Sequence, residues 1–289
     1  MLRKAVIPAA GLGTRLLSVT KEQPKEMLPV FARGVNGGLC LKPIVQLVFE
    51  QLFDVGFREF CFVVGRGKRA VEDHFTPDHG FVRTLERSGK LNGAGVLESF
   101  YKRVEGSTVV WVNQPEPLGF GDSVLRARGF VGEDRFLVHA GDTLLLSTGM
   151  KHLKGLLRHG DRLNADAIFL SQRVEDPRPF GVVDGEQLEE GLVRVRRVVE
   201  KPEKPASNLA IMPVYVFRPS VFKALDHTLV GKGGEVQLTD GVQHMVDAGL
   251  KVFAWELGDD GVRLDIGSPE SYWEAQNLSH KHFSDGARP

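Results

Sequence analysis

The stretch KAVIPAAGLGTRLLSVTKEQPKEMLPV, residues 4–30, decides the fold because it runs from a buried strand into a glycine-rich, basic loop. Its apolar residues 5–10 form a short continuous run, which is typical of a parallel strand covered on both faces. Gly11 and Gly13 follow, and glycines let backbone N–H groups approach a ligand closely. Three cations follow these glycines: Arg15, Lys21 and Lys25. The stretch therefore predicts a strand followed by a polyphosphate-binding loop.

Two better-known phosphate loops are excluded by the residues themselves. The dinucleotide fingerprint GxGxxG needs a third glycine at the position that Leu16 occupies here. The P-loop GxxxxGK[ST] needs a glycine five residues after Gly11, and that residue is again Leu16. The segment after the loop is also not a strand that ends in an acidic residue, so we do not expect an NAD-dependent oxidoreductase.

The composition of the chain excludes several other classes of protein. The chain has 289 residues and a formal net charge of +0, which argues against a general nucleic-acid binder. No apolar run approaches the roughly 18 to 20 residues that a membrane-spanning helix needs, so we expect no membrane partner. The two cysteines, Cys40 and Cys61, fit a reducing compartment better than a disulfide framework. We therefore expect a cytoplasmic protein.

Apolar runs and amphipathic stretches alternate over the first half of the chain. Residues 43–55 have helical spacing, and the runs 60–64, 108–113 and 136–140 read as buried strands. This alternation predicts an α/β fold with a Rossmann-like mixed, mostly parallel central sheet and helices on both faces. Ligands of such sheets bind beyond the carboxyl ends of the strands. Gly11 and Asp142 both come directly after predicted strands, so one crevice can contain both.

The pattern changes after residue 165. Closely spaced strand candidates follow there: residues 167–171, 182–184, 192–199 and 209–217. Asp184-Gly185 is a candidate hairpin turn, and Ser268 is a candidate N-cap of a C-terminal helix. We expect this part to add a small β region of mixed or antiparallel strands that carries the pocket of a second substrate. The chain has no evident linker or repeat, so we treat residues 1–289 as a single domain.

The segment that carries Arg15 and Pro24-Lys25-Glu26 closely resembles the start of the sugar nucleotidyltransferases, which make nucleoside-diphosphate sugars. PKEMLP, residues 24–29, looks most like the members that use UTP and glucose 1-phosphate. The resemblance continues in order along the chain, from Lys4 to about Gln276, and includes GEVQLTD, residues 234–240. It implies a nucleotide-binding part over about residues 1–160 and a sugar-binding and C-terminal part over about residues 161–289.

The resemblance implies Mg²⁺-dependent transfer of UMP from UTP to glucose 1-phosphate by direct in-line displacement, giving UDP-glucose and pyrophosphate. The alternatives are an enzyme that uses dTTP, or both nucleotides, and a non-catalytic relative that binds nucleotide or sugar to regulate a partner. Such a relative would be expected to have lost its cations or metal ligands, which this chain retains. We also expect a homo-oligomer, either a dimer or a tetramer.

The resemblance also assigns the charged residues. Arg15 would stabilise the β- and γ-phosphates of UTP, Lys25 would contact the α-phosphate, and Lys201 would hold the sugar phosphate. Asp142 and Asp265 would hold Mg²⁺, which prefers hard oxygen ligands. Pro often precedes the first aspartate in the family, whereas this chain has glycine there.

The remaining candidates are substrate contacts implied by the resemblance. Those for the nucleotide are Ala10, Gly11, Gly13, Thr14, Glu26, Gln114 and Gly119. Gln114 would read the pyrimidine edge, and Gly119 would let the ring lie flat. Those for the sugar phosphate are Gly181, Glu200 and Ile211. Glu200 would accept hydrogen bonds from sugar hydroxyls, and Ile211 would contribute backbone contacts.

Three stretches depart from the family or resemble other motifs. Residues 119–123 read GFGDS, where many bacterial relatives have GLGHA. Residues 31–41 replace a short connection by a longer stretch, which we expect to be a flexible polar loop that serves as a lid, a subunit contact or a tolerated insertion. Residues 65–68, GRGK, read as a solvated strand-to-helix turn rather than a phosphate loop.

Overall fold

The computed structural model describes residues 2–258 and 260–284. Its strands are, in chain order, β1 (Lys4–Ala9), β2 (Pro29–Arg33), β3 (Leu39–Pro43), β4 (Glu59–Val64), β5 (Thr108–Asn113), β6 (Phe136–His139), β7 (Thr143–Leu146), β8 (Ala167–Arg173), β9 (Gly181–Glu189), β10 (Leu192–Glu200), β11 (Leu209–Phe217), β12 (Val252–Glu256) and β13 (Val262–Asp265). Its α-helices are α1 (Ile44–Asp54), α2 (Arg69–His74), α3 (His79–Arg87), α4 (Leu91–Glu105), α5 (Phe120–Arg126), α6 (Arg128–Val131), α7 (Lys151–Arg162), α8 (Ser220–Asp226), α9 (Leu238–Asp247) and α10 (Pro269–Ser284). Among these described helices, none is both long and apolar enough to cross a bilayer.

Nine strands form the central sheet, in the order β5-β4-β1-β6-β11-β8-β12-β10-β9. The first four are mutually parallel, as the sequence pattern predicts. β11 then enters antiparallel to both of its neighbours, and β10 is antiparallel to β12 and β9. β9 also pairs with β11 through Val182 and Ala210, so this half of the sheet curls back on itself. The fold is α/β and the sheet is mixed, but only four of its eight neighbouring strand pairs are parallel, which corrects the expectation of a mostly parallel sheet.

Helices cover both faces of the sheet. Along β1, Ala5 and Ile7 pack into one apolar core and Val6 packs into the other, because successive side chains of a strand point to opposite faces. The first core includes the buried face of α1 and the second includes that of α9. Burial on both faces explains why these strands read as continuous apolar runs rather than as alternating ones.

The parallel strands end at one edge of the sheet, where the chain turns into loops. Gly65, directly after β4, lies between the loops that follow β1 and β5: a Cβ placed on it would lie 3.2 Å from the carbonyl oxygen of Ala10 and 3.6 Å from that of Gln114. The N–H of Gly141, after β6, donates to the carbonyl of Pro8 at 3.0 Å. The topology therefore brings segments far apart in sequence to one place.

Residues 31–41 are not a loop, which corrects the sequence expectation. They lie mostly in an antiparallel hairpin of β2 and β3, which turns through residues 34–38. The hairpin packs against α10, where the hydroxyl of Tyr272 donates to the carbonyl of Pro29 at 3.1 Å. The tip contains Gly37 with φ +79°, a conformation that glycine adopts without strain. The glycines therefore mark a turn rather than a flexible segment.

The prediction of a hairpin turn at Asp184-Gly185 is also wrong. Both residues lie inside β9, where they pair with Arg197 and Val195 of β10. The chain reverses later, through residues 190–191, where Gly191 has φ +71°. An Asp-Gly pair is a strong turn signal, but the long pairing between β9 and β10 overrides it. At the start of α10 the predicted cap is present, since the hydroxyl of Ser268 accepts from the N–H of Ser271 at 3.2 Å.

Candidate active site

A cleft of about 920 Å³ opens along the carboxyl edge of the parallel strands and extends to the curled half of the sheet. Every residue that the sequence analysis assigned to a substrate or to the metal lines this cleft, whereas Lys21, the other cation of the opening loop, does not. These residues are Ala10, Gly11, Gly13, Thr14, Arg15, Lys25, Glu26, Gln114, Gly119, Asp142, Gly181, Glu200, Lys201, Ile211 and Asp265. The structure thus brings together residues from both halves of the chain, as one site for two substrates requires.

The glycine-rich loop after β1 is held in shape by its own contacts. Gly13 has φ +66°, and a Cβ there would lie 3.2 Å from Cβ of Thr20. The hydroxyl of Thr20 donates to the carbonyl of Gly13 at 2.8 Å. Arg15 is exposed and reaches toward the opposite wall, where a Cβ on Gly267 would lie 3.5 Å from its guanidinium. The loop therefore presents backbone and a cation to the cleft with little side-chain bulk.

Asp142 and Asp265 meet because β7 and β13 pair antiparallel, with Asp265 opposite Thr143. The Thr143 hydroxyl lies 3.3 Å from Oδ1 of Asp142 and 3.1 Å from Oδ1 of Asp265. The N–H of Ile266 donates to the carbonyl of Asp142 at 3.0 Å, which fixes the two segments together. Two carboxylates from distant parts of the chain are thus held side by side at the centre of the cleft.

The ammonium of Lys25 forms an ion pair with Asp142. Burial alone would raise the pKa of Asp142, but the charge and hydrogen bond of Lys25 outweigh it and hold the pKa below its ordinary value. Burial likewise opposes the charge of Lys25, whose pKa is nevertheless raised because Asp142 and Glu26 lie beside it. Both groups therefore remain charged at neutral pH in the absence of substrate.

Glu26 lies in the floor of the cleft, where it is 1% exposed, and pairs with Lys68 at 2.7 Å. Burial raises the pKa of Glu26, although Lys68 and Lys25 pull it down. Lys68 is the last residue of the turn between β4 and α2, and it is 6% exposed. The interpretation of residues 65–68 as a solvated turn is therefore correct for the exposed Arg66 but wrong for Lys68, whose ammonium is drawn inward by a buried carboxylate.

Replacing Lys68 by methionine is expected to destabilise the protein by about 2 kcal/mol, because it leaves a buried carboxylate without its main partner. The raised pKa of Glu26 rises further in this variant. The loss should therefore be larger near pH 8 than near pH 5, where Glu26 can take up a proton. Thermal unfolding of the parent and the variant at both pH values measures this loss of stability. Arg66→Met, in the same turn, is the control, and an equal loss in both variants would contradict the role of the pair.

One side of the cleft, where the resemblance predicts the nucleotide base and which we name the base side, is built around Gln114, directly after β5. Its Nε2 donates to the carbonyl of Gly119 at 3.1 Å and to Oδ2 of Asp122 at 2.7 Å. Gly119 has φ +102°, and a Cβ there would lie 2.7 Å from Cβ of Glu235 and 2.9 Å from the carbonyl oxygen of Val236. Its lack of a side chain is thus required by the fold, independently of any ligand.

The other side, where the resemblance predicts the sugar phosphate and which we name the sugar side, combines β9, β10 and the loop after β10. Oε2 of Glu200 accepts from the hydroxyl of Thr239 at 2.7 Å, and Oε1 lies 3.2 Å from Nζ of Lys201. A Cβ on Gly181 would lie 2.9 Å from the Thr239 hydroxyl oxygen and 3.0 Å from Cδ1 of Ile211, so a side chain there would have to displace these two neighbours. Lys201 has φ +44°, which is strained for a residue with a side chain, and such strain clusters at functional sites.

The segment 234–240 joins the two sides of the cleft. The sequence analysis recognised this segment only as a family motif and assigned it no role. The N–H of Gly121 donates to the carbonyl of Val236 at 2.9 Å, and Thr239 holds Glu200 as described above. Its signal in the sequence was the polar cluster Glu235, Gln237 and Thr239 around apolar residues, and all three line the cleft.

Arg263 is a second residue that the sequence reasoning missed. It lines the cleft on β13, and its guanidinium lies 4.7 Å from the ring centroid of Phe180 in a cation–π contact. The signal for it was its position two residues before Asp265, because alternate residues of a strand share one face. It adds a cation between the carboxylates and the sugar side.

Known proteins match this chain over nearly its whole length. The nucleotidyl transferase family profile matches residues 4–282. A UTP–glucose-1-phosphate uridylyltransferase of Bacillus subtilis is 37% identical over 269 residues, covering 92% of this chain and 87% of that protein. One from Pseudomonas aeruginosa is 34% identical over 287 residues, covering 98% of each. A crystal structure of a UDP-glucose pyrophosphorylase complexed with UDP-glucose matches with a TM-score of 0.84 and 32% identity, covering 97% of this chain and 99% of that one.

The chain therefore belongs to the nucleotidyl transferase family. Within that family it is similar, over nearly its whole length, to proteins named UTP–glucose-1-phosphate uridylyltransferase and to solved UDP-glucose pyrophosphorylases.

Proposed function

We propose that this protein transfers UMP from UTP to glucose 1-phosphate, releasing pyrophosphate and giving UDP-glucose. The observation that carries the proposal is the single cleft in which a glycine-rich cationic loop, a carboxylate pair and a glutamate–lysine loop face one another. In the reaction, a phosphate oxygen of the sugar phosphate attacks the α-phosphorus of UTP. The bond to the bridging oxygen of the β-phosphate breaks in line, and that oxygen leaves with pyrophosphate.

The protein needs no covalent intermediate for this step, because the attacking oxygen is already a nucleophile. Catalysis consists of bringing two polyanions together and stabilising the charge that develops at the α-phosphorus. We assign Arg15 to the β- and γ-phosphates, Lys25 to the α-phosphate, and Lys201 to the sugar phosphate. Lys25 is well suited, because its ion pair with Asp142 holds it charged at the centre of the cleft.

The carboxylate pair fits a divalent cation, which we propose is Mg²⁺. Asp142 and Asp265 offer hard oxygen ligands held side by side by Thr143. The described residues contain no group of three or more His, Cys, Asp or Glu with ligand geometry, and Mg²⁺ commonly takes only one or two carboxylates plus phosphate oxygens. When bound there, the ion would neutralise charge on the phosphate oxygens of the substrates.

The other cleft residues divide into two groups of substrate contacts. For the nucleotide we propose Ala10, Gly11, Gly13, Thr14, Glu26, Gln114 and Gly119. For the sugar phosphate we propose Gly181, Glu200 and Ile211. Glu26 is 1% exposed, so its contribution is to the shape and charge of the cleft floor more than to direct hydrogen bonding.

We further propose that residues 1–289 act as one domain, since a single sheet contributes to both sides of the cleft. Cys40 and Cys61 are free thiols, which suits a cytoplasmic enzyme. We also propose a homo-oligomer, a dimer or tetramer. On α10, Leu278 packs against the core, but Trp273 is 71% exposed and is the residue we expect at a subunit contact.

Pyrophosphate release tests the proposed reaction. UTP, dTTP, CTP, ATP and GTP are each combined with glucose 1-phosphate and Mg²⁺, and the same nucleotides are repeated with other hexose 1-phosphates. We expect the fastest release with UTP and glucose 1-phosphate. Equal release with dTTP would replace the proposal by a dual-specificity enzyme, and nucleotide binding without release from any pair would favour the regulatory relative.

A further inference from the structure

A buried carboxylate lies directly behind the glutamine of the base pocket. Asp122, on α5, is 5% exposed and forms an ion pair with Arg126 at 3.0 Å. Its Oδ2 accepts from Nε2 of Gln114 at 2.7 Å. Asp122 falls in the stretch where this chain departs from the GLGHA pattern, and it does not line the cleft, so no substrate contact accounts for it.

The hydrogen bonds of Gln114 can be counted completely. A primary amide has two N–H donors and one oxygen with two acceptor positions. Both donors are used, one on the carbonyl of Gly119 and one on Asp122. The oxygen Oε1 accepts from the hydroxyl of Ser123 at 2.8 Å, which leaves one acceptor position. Gln114 is 3% exposed but lines the cleft. The remaining acceptor position on Oε1 is therefore the hydrogen-bonding position that its amide can use for a base.

The ionised carboxylate decides which way the amide points. An ionised aspartate only accepts hydrogen bonds, as does the carbonyl of Gly119. Rotating the amide of Gln114 by half a turn would place Oε1 against both of these oxygens and would lose both bonds. Ser123 exerts no such preference, because a hydroxyl can donate to Oε1 or accept from Nε2. Arg126 balances the charge of Asp122 from the other side.

We infer that Asp122 is a positioning residue that fixes the amide of Gln114 with its acceptor toward the base, and thereby selects nucleotides that carry an N–H at ring position 3. This inference rests on the proposed nucleotide site. Uracil has that N–H, whereas cytosine has an unprotonated acceptor at N3, which would face the oxygen of Gln114. The pocket therefore rejects cytosine by an unfavourable pair of acceptors.

The same arrangement does not separate uracil from thymine. Both bases have the N3–H between two carbonyl groups, and they differ only in a methyl group at C5. A methyl group in a permissive pocket changes selectivity by a small factor compared with a mismatched hydrogen bond. The inferred role of Asp122 thus predicts similar treatment of UTP and dTTP at Gln114, with CTP excluded.

Binding of UTP and CTP to Asp122→Ala, measured by calorimetry, tests the inference, because alanine removes the acceptor that holds Nε2 of Gln114. We expect the ratio of the dissociation constants, CTP over UTP, to fall about tenfold from the parent value. Asp122→Asn is a milder second variant and serves if the alanine variant does not fold. Arg126 donates to both oxygens of Asp122, at 3.2 Å to Oδ2 and at 3.0 Å to Oδ1, so an asparagine can keep its oxygen toward Gln114, and the ratio should fall less than with alanine.

Ser123→Ala is the matched control. It removes a hydrogen bond of the same amide but no orientational preference, so UTP should bind more weakly with the CTP-to-UTP ratio within about twofold of the parent. A parent that binds CTP as tightly as UTP would overturn the inference, as would an unchanged ratio in both Asp122 variants. Pyrophosphate release is assayed separately: its absence in a parent that still prefers UTP would reject the proposed reaction and leave the role of Asp122 intact.

Discussion

Replacing Asp142 by asparagine is expected to lower kcat about 10³-fold. The amide keeps the shape of the carboxylate and its contact with Thr143, which is 3.3 Å away. It removes the negative charge that would bind Mg²⁺ and that now pairs with Lys25. Pyrophosphate release, measured over a range of Mg²⁺ concentrations, should show both a lower maximal rate and a higher Mg²⁺ requirement.

Asp161→Asn is the matched control for that experiment. Asp161 is 71% exposed on α7, where it pairs with Arg135, and it does not line the cleft. The same chemical change there should leave kcat within about twofold, since exposed ion pairs contribute little. Near-normal turnover of Asp142→Asn, with an unchanged Mg²⁺ requirement, would mean that this carboxylate does not hold the metal.

Replacing Lys201 by alanine is expected to reduce kcat/KM for glucose 1-phosphate about 10²-fold. The Lys201 side chain is 46% exposed and emerges beside Glu200 on the sugar side of the cleft. Its loss removes a compact positive charge from the place we assign to the sugar phosphate, while Arg15 and Lys25 remain for UTP. The KM for UTP should therefore change by no more than about threefold.

Lys204→Ala provides the comparison for Lys201. Lys204 lies three residues further along the same loop, is exposed and does not line the cleft. If Lys201→Ala abolished UTP binding and left the sugar phosphate unaffected, the assignment of the two phosphate sites would have to be exchanged. If both lysine variants lost activity equally, the loop would act through its overall charge rather than through Lys201.

The sequence was most informative where chemistry and chain geometry impose the same pattern. Parallel strands buried on both faces are apolar throughout, so β1, β4 and β5 could be recognised from short runs. Because such strands end at one edge, the positions of Gly11 and Asp142 directly after apolar runs were enough to predict a shared crevice. Strand β5 has the bounds 108–113 that its run predicts, and β11 those of 209–217.

The misses have two physical origins: contacts that override a local sequence signal, and apolar side chains that stay exposed in a strand. Asp184-Gly185 has the local signature of a turn, but its pairing with β10 keeps both residues in a strand. Lys68 has the composition of a solvated residue, but the buried carboxylate of Glu26 draws it inward across 42 positions. Residues 31–41 read as a loop because the apolar side chains Leu39 and Leu41 remain exposed in β3 and give no burial pattern.

The segment 235–239 has a consequence for anyone who would redesign this protein. Gly119 and Gly121 have no room for a side chain because Val236 lies against them, and three residues later Thr239 holds the glutamate of the sugar side. A substitution that reshapes the base pocket at either glycine must push this segment, and the displacement passes to Glu200. Nucleotide and sugar preference are therefore not independent design variables, and a change intended for one should register in the KM of the other substrate.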